Sequence, residues 1–285
     1  MVSKRCALFI VAVFLCLLCS GCNLRNQVQL QEAFIAPAVT GELQFSVLKI
    51  GKADAIIIQT ENHSLIIDCG EEEDGDEIIE YLTENHISSV DYLFITHFDK
   101  DHVGGAAEVI QNREIKQIIV PDYAGTNAAY ENFLDAVEKT GSKPLALTET
   151  MVFVLDDVLF EIYPPQKTFY VESDNDFSLA ISVTHGDNKF LFAGDAEEIR
   201  LAEILSQTQT QYDFLKMPHH GKFDVLTKQF VDSISPTYTV ITCSEKNPAD
   251  EQTVNILRAA GSEVYYTKDG DITVSSNGTD ITIKQ

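Results

Sequence analysis

Tyr92-Leu93-Phe94-Ile95-Thr96-His97-Phe98-Asp99-Lys100-Asp101-His102-Val103-Gly104-Gly105 is the stretch whose reading decides the fold. Tyr92 to Ile95 is an apolar run that reads as a buried strand. His97 to His102 then packs two imidazoles and two carboxylates into six residues, and the glycine pair opens a helical pattern from Ala106 to Ile110. A buried strand that delivers such side chains to its own C-terminal edge is how α/β folds build metal sites. His97 and Asp99 lie two apart, so both can point one way from an extended tip. Asp101 and His102 are adjacent and must diverge, which suits two ions rather than one. The plainer reading is a polar strand-to-helix turn with Asp101 as the helix cap.

Outside this stretch the composition is that of a folded, acidic protein. The 285 residues carry ordinary apolar content and a formal net charge of −24, enough chain for a sizeable core. That charge argues against a general electrostatic grip on nucleic acid or anionic lipid and suits a soluble domain outside the cytoplasm. Four of the six cysteines lie in the first twenty-two residues. Cys69 and Cys243 remain in the body, too few for a disulfide framework, and read as buried thiols.

The beginning of the chain reads as an address. Lys4 and Arg5 precede an apolar run from Ala7 to Leu18, of signal length and short for a membrane span. Cys19-Ser20-Gly21-Cys22 resembles a bacterial lipobox, with Cys19 where leucine is usual, so Cys22 is expected to become a lipidated N-terminus. Residues 1–22 are thus expected to be a lipoprotein signal peptide, 23–40 a tether and 41–285 a single catalytic domain, lipid-anchored to the bacterial cell membrane on its extracytoplasmic side.

Within that domain, two β-rich units alternate with helices, the signature of an α/β fold. Leu43-Phe45-Val47, Ala55 to Ile58 and Leu65 to Ile67 begin the first unit, and Met151 to Leu155 with Leu159 to Tyr163 the second. Helices are expected over 76–86, 105–112, 128–140, 196–205, 223–234 and 250–260. His185 sits in a turn between two strands and reads as a turn residue without a ligand role.

His97-x-Asp99-x-Asp101-His102 resembles the H-x-H-x-D-H signature of the metallo-β-lactamase superfamily, with Asp99 in place of the second histidine. Ile50-Gly51-Lys52-Ala53-Asp54-Ala55 resembles the "VGQGDA" loop of the hydrolase domain of ComEC-type competence channels. Leu65-Ile66-Ile67-Asp68-Cys69-Gly70, Phe190-Leu191-Phe192-Ala193-Gly194-Asp195 and Leu215-Lys216-Met217-Pro218-His219-His220-Gly221 resemble further segments of the same family, in family order. The resemblance implies an αββα sandwich of two mixed sheets with outer helices, and a dinuclear centre that hydrolyses its substrate. Such a centre lowers the pKa of bound water from about 15.7 towards 7, with its ions roughly 3.5–4 Å apart.

Carried over by position, the resemblance implies that His97 and Asp99 hold the first ion, that Asp101 and His102 hold the second, and that Asp195 bridges them. Of the histidine pair, His219 is assigned to metal and His220 to an acid role, with Asp101 counted among the catalytic residues. The third imidazole of the first site has no counterpart; Asp174-Asn175-Asp176-Phe177-Ser178 lies there instead, from which Asn175, Asp176 or Ser178 is expected to reach the site, and Asn175 and Ser178, with Lys222, are expected to meet substrate. Two divalent ions, zinc or manganese, are implied, and the oxygen-rich set leans towards manganese. The implied substrate is a phosphodiester, DNA or a smaller ester, near which Lys100, Lys216 and Lys222 supply local positive charge. The alternative is a binding lipoprotein without catalysis on a degenerate hydrolase scaffold.

The leader generates the first prediction. A fatty-acid probe fed to growing cells is expected to label the wild-type chain and to leave Cys22→Ala unlabelled; equal labelling of both overturns the lipid anchor.

Overall fold

In the computed structural model the described residues are 41–170, 174–208 and 211–285. The leader, the tether and Cys22 lie outside them. The first sheet unit runs β1 (Leu43–Val47), β2 (Ile56–Gln59), β3 (Ser64–Ile67), α1 (Gly75–Glu84), β4 (Ser89–Phe94), α2 (Lys100–Val103), α3 (Ala106–Asn112), β5 (Glu114–Pro121), α4 (Ala128–Thr140) and β6 (Leu145–Leu147). The second runs β7 (Met151–Leu155), β8 (Val158–Tyr163), β9 (Ala180–His185), β10 (Asn188–Phe192), α5 (Glu198–Thr208), β11 (Phe214–Lys216), α6 (Thr227–Ile234), β12 (Tyr238–Ile241), α7 (Glu251–Ala259) and β13 (Glu263–Tyr266). β14 (Ile272–Ser276) and β15 (Ile281–Lys284) then return to the first sheet.

The strand order is β15-β14-β1-β2-β3-β4-β5-β6 in one sheet and β13-β12-β11-β10-β9-β8-β7 in the other. β3 to β6 are parallel, as are β10 to β13, while the hairpin strands pair antiparallel. The expected mixed sheets are therefore present. Their facing surfaces share one apolar core, in which the Phe45 ring lies 4.7 Å from Phe190 and 5.2 Å from Phe192. A second cluster fills the space between the first sheet and α1, α3 and α4, with Ile78, Leu82, Val109 and Phe133 pointing inward. A third lies under α5, α6 and α7. These are the four layers of an αββα sandwich, each helix burying one apolar stripe.

Local chemistry explains where elements begin. Gly141 takes φ +71° and ends α4, as its sequence position indicates. α6 begins at Thr227 rather than near Phe223, because Asp224 and Thr227 build a tight turn: Asp224 N donates to Thr227 Oγ1 at 2.8 Å and Leu226 N to Asp224 Oδ1 at 2.7 Å. Cys69 and Cys243 are buried free thiols.

His185 is not a turn residue. It ends β9, fully buried, with Nδ1 2.9 Å from Ser276 Oγ on β14, so it fastens one sheet to the other. Asn188 Nδ2 reaches the same hydroxyl at 2.8 Å. β9 is antiparallel to β10, which puts His185 at the opposite edge from Asp195. Beside it Gly186 has φ +60°, and a Cβ there would stand 2.3 Å from the Gly278 carbonyl oxygen.

Gly186→Ala is therefore expected to destabilise the protein by at least about 1–3 kcal/mol, read as a lower denaturant midpoint, since both the left-handed backbone and the space exclude a side chain.

Candidate metal centre

Parallel strands present their C-terminal ends at one edge of each sheet, and the polar residues collect there. β3 leads to Asp68, β4 to His97–His102, β10 to Asp195, β11 to His219–His220 and β12 to Thr242. Asp54 precedes β2, whose antiparallel direction brings it to the same edge.

The loop after β4 is held by Asp68. This buried residue takes φ +59° and accepts from Thr96 N at 2.7 Å, from Thr96 Oγ1 at 2.7 Å and from His102 Nδ1 at 2.8 Å. The following glycines are required by close approach. A Cβ on Gly104 would stand 2.4 Å from the Lys100 oxygen, and one on Gly105 2.4 Å from that of Cys69. Neither Asp101 nor Asp99 caps a helix through its side chain, although Asp99 occupies the cap position of α2. The plain turn reading is thereby excluded.

Asp195 is aimed by two neighbours. Gly194, at φ +54°, turns the chain sharply, and Asp195 N donates to Ser178 Oγ at 3.0 Å. The start of α5 is capped by Asp176 instead, whose Oδ1 accepts from Glu197 N at 3.2 Å and Arg200 N at 3.1 Å. The Asp195 carboxylate is thus left to face the centre.

Three imidazoles meet it. His102 Nε2 lies 3.2 Å from Asp195 Oδ1, and His220 Nε2 lies 3.0 Å from Asp195 Oδ2 and 3.4 Å from Asp101 Oδ2. The His97 and His102 ring centroids are 4.1 Å apart. Each Nδ1 is engaged on the outer side. Thr96 Oγ1 donates to Asp68 and so accepts from His97 Nδ1 at 3.1 Å; Thr242 Oγ1 donates to Asp54 at 2.6 Å and so accepts from His220 Nδ1 at 3.0 Å. With His102 Nδ1 on Asp68, all three rings present Nε2 inward, an arrangement that fixes the tautomer of a metal-binding histidine.

The inward atoms fit a cation. His97 Nε2 is buried with no hydrogen-bond partner among the described residues, and the inward nitrogens of His102 and His220 face carboxylate oxygens. Burying such groups unpartnered is costly, and imidazole with carboxylate is a donor set for divalent metal. His97, His102 and Asp195 offer donor atoms within 4.8 Å of one another, as do Asp101, His102 and His220.

The charges show the same demand. Burial and the neighbouring His102 hold the pKa of His97 well below its ordinary value, so that ring is neutral. Burial disfavours charge on His102 too, yet Asp195 and Asp68 outweigh it and its pKa is raised; His220 is raised likewise by Asp195 and Asp101. Asp195, despite burial, is held well below the usual carboxylate range by His102 and His220. The carboxylates thus favour positive charge at both rings, and metal binding to a protonated imidazole releases its proton.

Several placements differ from the sequence reading. His220, not His219, enters the cluster. His219 leans outward, with Nδ1 3.1 Å from Glu197 Oε1 and Nε2 2.9 Å from Lys222 Nζ. Both histidines have left-handed backbone, φ +49° and +53°, which sends adjacent rings apart. Asp99 sits at the rim, its side chain 42% exposed, with Oδ2 3.8 Å from His97 Nε2. Ser178 is fully buried and supports Asp195 rather than facing substrate, and Asn175 Nδ2 donates to Glu197 at 3.0 Å. Lys216 is buried, paired with Asp54 and donating to the Gly194 carbonyl at 3.3 Å, so it does not reach outward for phosphate. Asp54, Asp68, Thr96 and Thr242 are the supporting residues that sequence reasoning left without roles. Their one advance signal is position: each follows or precedes a buried strand at the ligand-bearing edge.

A family model, the Metallo-beta-lactamase superfamily, matches residues 49–244. ComE operon protein 3 of Bacillus subtilis is 23% identical over 233 residues, which are 75% of this chain and 30% of that protein. Recombination protein 2 of Haemophilus influenzae is 25% identical over 210 residues, 72% of this chain and 25% of that protein. The chain therefore matches under a third of the length of either relative. Among solved structures, the metallo-beta-lactamase fold protein YhfI from Bacillus subtilis superposes with a TM-score of 0.56 at 15% identity, covering 83% of this chain and 100% of that one. With the family model spanning well over half of its residues and the four-layer fold to match, the chain belongs to the metallo-beta-lactamase superfamily.

Proposed function

We propose that this protein is a metal-dependent hydrolase of phosphodiesters, held outside the cytoplasm by lipid on Cys22. The observation that carries the hydrolase reading is the convergence of three imidazole Nε2 atoms on the buried Asp195 carboxylate, with each Nδ1 engaged on the outer side. In this reading His97 and His102 would hold one divalent ion and Asp101 and His220 a second, with the Asp195 carboxylate facing both. Zinc or manganese bound there supplies a Lewis acid and a water acidic enough to ionise near neutral pH. The chain's own part is to fix the donors. Asp68 and Thr96 orient two rings, Thr242 and Asp54 orient the third, and Ser178 aims the bridging carboxylate.

The phosphodiester class is supported by Recombination protein 2, whose name ties it to a process on DNA. The net charge of −24 favours a short or small phosphodiester over a long duplex tracked along a basic surface. Lys222 at the rim, 2.9 Å from His219 Nε2, supplies local positive charge for its oxygens. The second reading, a binding lipoprotein without catalysis, is favoured by the exposed Asp99 and by the lack of a further imidazole on the His97 side.

Turnover of bis-p-nitrophenyl phosphate with Mn²⁺ or Zn²⁺ separates the two. The wild type is expected to turn over, and Asp195→Ala and His220→Ala to lose at least about a hundredfold in rate along with bound metal. A fully metallated wild type with no turnover leaves the binding reading standing.

The histidine pair supplies a sharper test. His219→Ala and His185→Ala are each expected to keep wild-type metal content, whereas His220→Ala does not. Equal metal loss in His219→Ala and His220→Ala overturns the assignment of His220.

A further inference from the structure

Lys52 stands at the tip of the turn between β1 and β2, beside Gly51, whose φ is +74° and around which nothing approaches within 4 Å. From that open turn its side chain, 31% exposed, reaches inward and its Nζ forms an ion pair with Asp101 Oδ2. This is the oxygen that also lies 3.4 Å from His220 Nε2. The turn is anchored, since Asp54 N donates to the Asp101 carbonyl at 3.1 Å. An ammonium group therefore occupies the carboxylate that Asp101 contributes to the Asp101, His102 and His220 donor set.

The buried charges give this contact weight. Four buried carboxylates, Asp54, Asp68, Asp101 and Asp195, are faced by two ammonium groups, Lys216 and Lys52. A divalent ion beside Asp101 would meet the Lys52 ammonium at the same carboxylate, and two cations so close would repel in a low-dielectric site unless Lys52 withdrew. Lys216 cannot withdraw, being 1% exposed and bonded to Asp54. Lys52 can, because its stem is partly in solvent and its turn is uncrowded.

We infer that Lys52 is a built-in competitor for the second ion: its ammonium holds Asp101 until a second divalent cation displaces it, which makes the two ion positions unequal in affinity. The inference rests on the metal reading of the site and goes beyond it by assigning an order of filling. The position around His97, His102 and Asp195 fills first; the position around Asp101 and His220 fills only at higher ion concentration, as Lys52 swings out to solvent. Lys52 is then a positioning residue for the cofactor rather than a group that touches it.

The test is calorimetric titration of the full-length chain with Mn²⁺, after dialysis against chelator, for wild type, Lys52→Gln, Lys52→Ala and Lys52→Arg. Glutamine is the residue at this place in the loop the stretch resembles, and far-UV circular dichroism checks folding. The wild type and Lys52→Arg are expected to bind one ion tightly and a second at least about tenfold more weakly. Lys52→Gln and Lys52→Ala are expected to tighten the second ion by about tenfold or more while leaving the first unchanged. Two equal sites in the wild type, or a second site unmoved in both neutral variants, overturns the inference and leaves the metal centre intact. No Mn²⁺ bound by any of the four overturns the metal reading together with the inference.

Discussion

The Asp68 carboxylate is the fixed point of the structure. Held in a left-handed backbone conformation with no exposure to solvent, it accepts three short hydrogen bonds, two from Thr96 in the loop after β4 and one from His102 in α2. A buried carboxylate without those donors would be several kcal/mol less favourable, and burial does push its pKa up. The bonds therefore force the loop into one shape, in which Thr96 turns over His97 and His102 shows its free nitrogen inward. Replacing Asp68 by an apolar residue would leave two of the three imidazoles unaimed, although Asp68 itself never faces the centre.

Asp54 does the corresponding work between the sheets. It lies on the edge of the first sheet, while its partners Lys216 and Thr242 belong to the second. The apolar faces around Phe45 and Phe190 set the separation of the sheets, but apolar packing is non-directional and tolerates sliding. The bonds to Asp54 are directional. They fix one edge of the sandwich in register, and that edge is where donors from β4, β10 and β11 must meet within a few ångströms.

Much of this was legible in the residues. The apolar run of β4 and the ligand-dense loop after it point to a strand-end site, and the Gly194-Asp195 step signals a sharp turn at another strand end. What local sequence cannot resolve is direction. His219 and His220 are the same residue type side by side, and only two consecutive left-handed conformations decide which ring points inward. Ser178 and Asp176 look like polar loop residues available to substrate, yet one supports Asp195 and the other caps α5. Lys216 reads as a surface lysine beside a motif; its burial depends on Asp54, far away in the chain. His185 is misread for the same reason, because its partner Ser276 comes from the other sheet.

β14 lies between β15 and β1, with Val274 opposite Phe45, so the first sheet is completed by residues that leave the ribosome long after its other strands. Contacts of such long sequence separation close late in folding. A nascent chain that has already made β1 to β6 carries an unpaired edge along β1 until residues 272–276 arrive. The pocket is likewise split in synthesis, with Asp54 and the β4 loop made early and Asp195, His220 and Thr242 made late. A cation that met the half-made chain would find His97 and His102 without Asp195, so the candidate centre is complete only once both halves of the chain have folded together.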